Sequence, residues 1–279
     1  MTHQVYASQF IDKLSQVYDR REAQNIFFLI LEHLKKWTRI KFELNKELEV
    51  KDEEYSLFDE YLSELLKGKP VQQLIGSTYF YGLKFLVDKH TLIPRPETEE
   101  LVDLIINRAP LKEEINILDI GTGSGCIIIS LAKNLSGEFT ALDVSSNALN
   151  VAKENARSND ADVYFIEADI LNLKMDFPKY DVIVSNPPYI PESDKSVMND
   201  NVVNFEPHLA LFVEDNDPLI FYRHILEFAT SHLSEEGRIY FEIHEDYKSE
   251  LEVILKYYTY KSLFHKDLQG KYRILELVN

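Results

Sequence analysis

Ile115-Asn116-Ile117-Leu118-Asp119-Ile120-Gly121-Thr122-Gly123-Ser124-Gly125 decides the fold of this 279-residue chain. An apolar run over 115–119 opens into a loop with glycine at every second position, which reads as a buried strand followed by a tight turn. Glycines there permit unusual backbone angles and let a ligand approach the main chain. Further runs at 138–143, 163–167, 181–185 and 238–243 also read as buried strands, separated by helical stretches such as 147–157 and 219–233. This alternation predicts an α/β, Rossmann-like fold with a mostly parallel sheet covered on both faces. Residues 272–278 follow Gln269-Gly270 and a possible strand over 262–268, so they are placed to close the sheet as a hairpin partner.

Upstream the pattern is different. Asp19 and Glu22 have capping-box spacing, and Ala23, Ile26, Phe27, Ile30, Leu31 and Leu34 then recur at helical spacing. Tyr55, Phe58, Leu62, Leu65 and Leu66 form a second stripe, closed by Gly68 and Pro70. A small helical bundle over 1–69 is expected. Residues 70–92 carry Tyr79, Phe80, Tyr81, Phe85 and Val87 around Gly82, which predicts a β-hairpin linker able to line a substrate site. The catalytic domain is then 93–279.

Gly121, Thr122, Gly123, Ser124 and Gly125 lie where open parallel sheets bind ligands, beyond a strand's carboxyl end. The spacing is G-x-G-x-G, not that of dinucleotide binders, and the P-loop lysine is absent, so a diphosphate ligand is disfavoured. The bland alternative is a strand-to-helix turn. Asp143 stands about twenty residues beyond the loop, where a carboxylate accepts from both ribose hydroxyls. Asp169 ends the next strand and can accept from an adenine amine, with Ile170 against the purine face; each aspartate can also be a plain helix cap.

Ser185-Asn186-Pro187-Pro188-Tyr189 ends the fourth strand. The Asn186 side-chain oxygen can accept one hydrogen of a planar NH2 group, and the Pro187 or Pro188 carbonyl the other. The prolines fix these acceptors before substrate arrives, and Tyr189 can stack on the target. The alternative is an Asn-Pro turn with a buried tyrosine.

Charge narrows the function classes. The net charge is −17. Residues 1–69 hold 11 Lys+Arg against 13 Asp+Glu, so −15 falls on 70–279, which argues against direct DNA binding. A basic cluster, Lys35, Lys36, Arg39 and Lys41, reads as a solvated helix end or a contact for a phosphate-bearing partner. Cys126 is the single cysteine, which excludes an internal disulfide and reads as packing. His208, His224, His232, His244 and His265 lack ligand spacing and read as structural or solvated, so no metal is expected. Neither a signal peptide nor an apolar run of about 20 residues is present, so a cytoplasmic, non-membrane protein is expected. Nothing in the sequence specifies an oligomeric state.

Over nearly its whole length the chain resembles the bacterial protein-glutamine methyltransferases that modify class I peptide chain release factors. The likeness rests on Pro70-Val71-Gln72-Gln73-Leu74-Ile75-Gly76, Phe80-Tyr81-Gly82, the glycine loop, Leu142-Asp143-Val144-Ser145, Asn186 to Tyr189, and above all Leu92-Ile93-Pro94-Arg95-Pro96-Glu97-Thr98-Glu99. Asn-Pro-Pro-Tyr alone is shared with adenine-amino methyltransferases, which supplies the alternative activity. The resemblance implies a class I S-adenosylmethionine-dependent fold and methylation of the glutamine in a release factor's Gly-Gly-Gln loop. It implies that Gly121 to Gly125, Asp143, Ile170 and Asn186 hold the cofactor and that Asn186 to Tyr189 hold the glutamine. Two departures stand out: Ile170, where a tryptophan or other bulky residue is usual, and Glu242-Ile243-His244-Glu245-Asp246, where a glycine and a glutamine are expected.

Overall fold

A computed structural model describes residues 1–110 and 112–279, and of Asp200 the backbone only. The chain forms two compact units, Met1–Gly76 with Asn199–Phe205, and Ser77–Met198 with Glu206–Asn279.

The first unit is helical: α1 (His3–Leu14), α2 (Arg20–Lys35), α3 (Arg39–Asn45), α4 (Asp52–Leu66) and the short α5 (Val71–Ile75). Asp19 caps α2 by accepting from the Arg21 and Glu22 amides, each at 2.9 Å. The two sequence stripes meet in one core, where Phe10, Phe27, Leu31, Phe58 and Leu65 are buried. Much of the basic cluster is satisfied locally: Lys35 binds both oxygens of Glu54 at 2.8 Å, and Arg39 donates to Asn25 at 2.7 Å. That favours the helix-end reading of these residues.

The second unit starts with a hairpin, β1 (Ser77–Phe80) and β2 (Leu83–Leu86), and continues through α6 (Pro96–Arg108), β3 (Ile115–Ile120), α7 (Cys126–Asn134), β4 (Gly137–Asp143), α8 (Ser146–Ser158), β5 (Tyr164–Glu167), β6 (Tyr180–Ser185) and β7 (Ile190–Pro191). After α9 (Asp200–Phe205), which belongs to the first unit, come β8 (Phe212–Val213), α10 (Ile220–His232), β9 (Leu233–Glu242), α11 (Lys248–Leu255), β10 (Lys261–Lys266) and β11 (Tyr272–Val278). Seven strands form one sheet in the order β10-β11-β9-β6-β3-β4-β5. The five strands from β9 to β5 pair in parallel, and β11 pairs antiparallel with both β9 and β10.

Pleating divides the core. Leu118, Ile183, Ile239 and Leu275 pack against Tyr222, Ile225 and Leu251, while Ile117, Val182, Tyr240 and Ile274 pack against Leu101, Ile105 and Ile128.

Three expectations need correction. Residues 70–92 are not one linker: 71–75 are helical, and the hairpin is built into the second unit, with Phe80 and Phe85 in its core. Buried Asn155 of α8 fixes it there, accepting from the Leu86 amide at 2.6 Å and donating to the Leu86 and Ser124 carbonyls at 3.0 and 2.9 Å. The third strand of the sheet is not buried throughout, because β5 is an edge strand with Tyr164 exposed. The strand expected at 238–243 begins at Leu233, since its register to β6 shifts between Tyr180 and Val182 and the polar Ser234-Glu235-Glu236-Gly237 hides the extension from an apolar-run search.

Phe85 is fully buried and Tyr79 is 73% exposed, so the hairpin's anchorage is measurable. Phe85→Ala should lower unfolding free energy by about 3–5 kcal/mol in urea titrations, and Tyr79→Ala by less than about 0.5 kcal/mol. Equal small losses would return the hairpin to linker status.

Candidate active site

From β3 the chain steps outward to β4 and β5, then returns to lay β6 on the other side of β3. The connections leaving β3 and β6 therefore diverge, and the gap beyond their carboxyl ends is where such sheets take ligands. Ser185, at the end of β6, donates its hydroxyl to the Ile120 carbonyl at 2.6 Å and ties the two ends together. A cavity of about 340 Å³ lies there, lined by the glycine loop after β3, by Asp143 after β4, by Asp169 and Ile170 after β5, and by Asn186, Pro187 and Pro188 after β6.

The loop glycines divide their work. Gly121 and Gly123 have φ of +76° and +55°, and a Cβ on either would meet no atom within 4 Å. Gly125, at φ +80°, is a packing glycine: a Cβ would come within 2.8 Å of Ile129 Cδ1 and 3.2 Å of Ala152 Cβ. Asp143 braces the loop, its Oδ2 accepting from the Gly123 amide and its Oδ1 from the Ser145 amide, each at 2.8 Å. Burial raises the Asp143 pKa, and these amides oppose the rise. Asp169 accepts from the Leu171 amide at 2.9 Å, capping a 3-10 turn over Ile170–Asn172. Asp169 is thus both a cap and a lining residue, whereas Asp143 lines the cavity and α8 is capped by Ser145, whose hydroxyl accepts from the Ala148 amide at 3.2 Å. Buried Ile170 shares the wall with Phe221 and Ile225 of α10, which the sequence reading treated only as helix. An open glycine main chain, a carboxylate at the next strand end and an apolar wall fit a nucleoside carrying an amino-acid tail.

Beneath the loop lies a group that sequence reading passed over as a strand end. Asp119 is fully buried; its Oδ2 accepts from the Thr122 hydroxyl at 2.7 Å, and its Oδ1 has no hydrogen-bond partner among the described residues. Burial pushes its pKa up to about 7; the Thr122 bond opposes this, the Asp143 charge adds to it, and the Ile128 amide opposes it without reaching hydrogen-bonding geometry. Cys126 also lines the cavity, and burial pushes its thiol up to about 12, so it is a packing group and no nucleophile.

At the acceptor end, Asn186 is half-buried. Among the described residues no backbone amide donates to the Pro187 or Pro188 carbonyl. Tyr189 is not a lining residue: its ring lies 5.8 Å from the His244 ring. Burial raises the Tyr189 pKa and the Glu242 charge adds to it, while Arg273 and Arg95 pull it down. His244 thus occupies the segment where the family pattern departs, its ring tilted against Tyr189.

The rest of the wall comes from segments outside the four strand-end motifs. Arg95 and Thr98 line the cavity, and each is bonded to a buried glutamate distant in sequence. Arg95 donates to Glu206 at 2.6 Å and Thr98 to Glu242 at 2.6 Å. Residues 207–210 complete this wall, including His208, whose ring lies edge-on to Phe212 at 5.2 Å. Composition gives no sign of these partners, although the distinctive Ile-Pro-Arg-Pro-Glu-Thr string marks one half of each pair.

A doubly covered parallel sheet with a glycine cradle and an Asn-Pro-Pro turn at its switch point defines a methyltransferase, and residues 111–263 match the family described as methyltransferase domain. A methyltransferase from Pyrococcus furiosus shares the fold, with a TM-score of 0.52 at 19% identity over 79% of this chain and 98% of its own. Residues 7–76 match the PrmC N-terminal domain. The release factor glutamine methyltransferase of Flavobacterium psychrophilum is 43% identical over 277 residues, covering 98% of this chain and 97% of its own. That of Streptococcus pneumoniae is 42% identical over 237 residues, covering 85% and 83%. The chain belongs to the release factor glutamine methyltransferase family.

Asp119 sets a pH test. With its folded-state pKa raised from 3.8 to about 7, the native protein keeps a proton that the unfolded chain releases, so stability falls as pH rises across that window. Asp119→Asn should flatten this fall, read as urea midpoints at about pH 5 and pH 8. An unchanged pH dependence would show that Asp119 titrates normally.

Proposed function

We propose that this protein transfers a methyl group from S-adenosylmethionine to the side-chain amide nitrogen of the glutamine in the Gly-Gly-Gln loop of class I peptide chain release factors. The observation that carries it is that Asn186, Pro187 and Pro188 line the same cavity as the open glycine cradle and Asp143. Family membership supplies the acceptor, because the relatives are named for it.

When bound, the cofactor supplies a methyl group activated on a sulfonium. The chain's own residues supply position. Gly121 and Gly123 expose main chain to the amino-acid tail, Asp143 and Asp169 offer acceptors to the ribose and the adenine amine, and Ile170 covers the purine. An amide nitrogen is a poor nucleophile because its lone pair is shared with the carbonyl. Asn186 accepts one of its N–H groups and a proline carbonyl the other, which returns electron density to nitrogen and aligns it with the methyl group. Orientation of this kind is worth up to about 7–11 kcal/mol. Tyr189, packed on the core and beside His244, backs the turn that carries these acceptors.

The charge of −17, concentrated on 70–279, disfavours the alternative acceptor, an adenine amine in nucleic acid. No helix among the described residues is long and apolar enough to cross a membrane, and a substrate that acts in translation termination puts the reaction in the cytoplasm.

Incubation with labelled cofactor and purified release factor should label one glutamine, located by mass spectrometry, and leave DNA and RNA unlabelled. Asn186→Ala should lower kcat about 100-fold while calorimetry shows cofactor affinity within about threefold of the parent. Label in nucleic acid but not in the release factor would replace this reading by the alternative.

A further inference from the structure

Glu206 has a nearly inaccessible side chain, 1% exposed, that accepts from two groups of the segment leading into α6: the Arg95 guanidinium at 2.6 Å and the Ile93 amide at 3.3 Å. A carboxylate is withdrawn from water only where its partners are fixed. Here the partners belong to the cavity wall. Pro207, next in the chain, lines the cavity, as do Leu92, Pro94 and Arg95, so Glu206 staples two wall segments together. Thr98 and buried Glu242 form a second anchor for the same stretch.

Arg95 is the one Lys or Arg among the described lining residues. Thr98, three residues on, is bonded to Glu242 at the carboxyl end of β9, and the preceding Phe241 pairs with Ser185 of β6, which puts this segment at the acceptor end and not at the Asp169–Ile170 end. An arginine carries five N–H donors in a rigid fork, and Glu206 takes one of them. A loop built from glycines presents main-chain carbonyls with no side chains to shield them, which is the acceptor set such a fork matches.

We propose that Glu206 is a positioning residue that holds the Arg95 guanidinium on the cavity wall, where its remaining N–H groups donate to main-chain carbonyl oxygens of the glycine-flanked substrate loop. The proposal rests on the glutamine-methylation reading above. The Thr98–Glu242 anchor keeps the segment in place when Glu206 is neutralised, so an isosteric change at Glu206 reports on Arg95.

The test compares the full-length protein with Glu206→Gln and Arg95→Lys, using purified release factor for steady-state kinetics and S-adenosylhomocysteine for calorimetry. Carbonyl contacts are made equally before and during transfer, so each variant should raise KM for the release factor about tenfold or more, with kcat within about threefold. The S-adenosylhomocysteine Kd should stay within about twofold. An unchanged KM overturns the proposal. So does a parallel rise in KM and in the Kd, which would mean a structural role or a contact with the cofactor's own carboxylate. Should Glu206→Gln not fold, Arg95→Lys decides alone, since lysine keeps a positive charge for the buried Glu206 carboxylate while removing the guanidinium fork from a position that is 36% exposed. A parent protein inactive on release factor removes the function reading and this proposal with it; an active parent with an unaffected Arg95→Lys removes this proposal only.

Discussion

Ser185 lends its hydroxyl to the Ile120 carbonyl inside a fully buried seam between β3 and β6. That bond stands where the chain reverses its order of strand addition, and both halves of the site hang from it. The glycine loop leaves from Ile120 within one residue, and Asn186 follows Ser185 directly. Parallel pairing of Ile117 with Val182 and of Ile120 with Ser185 sets the register, so a slip of one residue would turn the Asn186 side chain to the other face of the sheet. The chemistry is thus fixed by backbone register before any side chain of the site is considered.

The strand-end motifs were legible because each announces itself locally. A glycine triplet after an apolar run and an Asn-Pro-Pro turn after another need no tertiary knowledge. The helical stripes and the 272–278 hairpin partner read equally well, since periodicity and turn residues carry them. What stayed hidden was long-range. Glu206 is 111 residues from Arg95, and Glu242 is 144 from Thr98, so nothing local marks either glutamate as buried. The polar start of β9 was missed because a bulged strand has no apolar alternation there, and the hairpin's place in the core was missed because Asn155, which anchors it, looks like any exposed helix residue. Tyr189 shows another limit: its spacing says aromatic face, but its ring packs on the core that holds Tyr222 and beside His244.

Acidity runs through the molecule in two forms. Most of the surplus carboxylates face water, yet Asp119, Asp143, Asp181, Glu206, Glu242, Asp267 and Glu276 are buried. Glu276 is held away from the site by Arg108, Arg238, Tyr240 and His265, an arrangement that stitches α6 to the β9–β11 edge. Asp143 lines the cavity, and Asp119, Glu206 and Glu242 are each bonded to a residue that lines it; amides, hydroxyls and one guanidinium hold the four. Such sites keep their geometry through directional bonds where an apolar wall would have only volume to offer.

Short α9 carries a consequence for how the protein can be divided. Asn199–Phe205 belongs to the helical unit, where Gln73 donates to the Phe205 carbonyl at 2.8 Å and Gly68 lies against Phe205 and Asn201. The polypeptide therefore crosses between the units three times, once near Gly76 and again on either side of α9. The helical unit is a discontinuous module: cutting once at Gly76 would leave behind a piece of it, and α9 would lose the helices that shelter it. Grafting the first 76 residues onto another catalytic sheet would fail for the same reason unless the seven-residue visitor travelled with them.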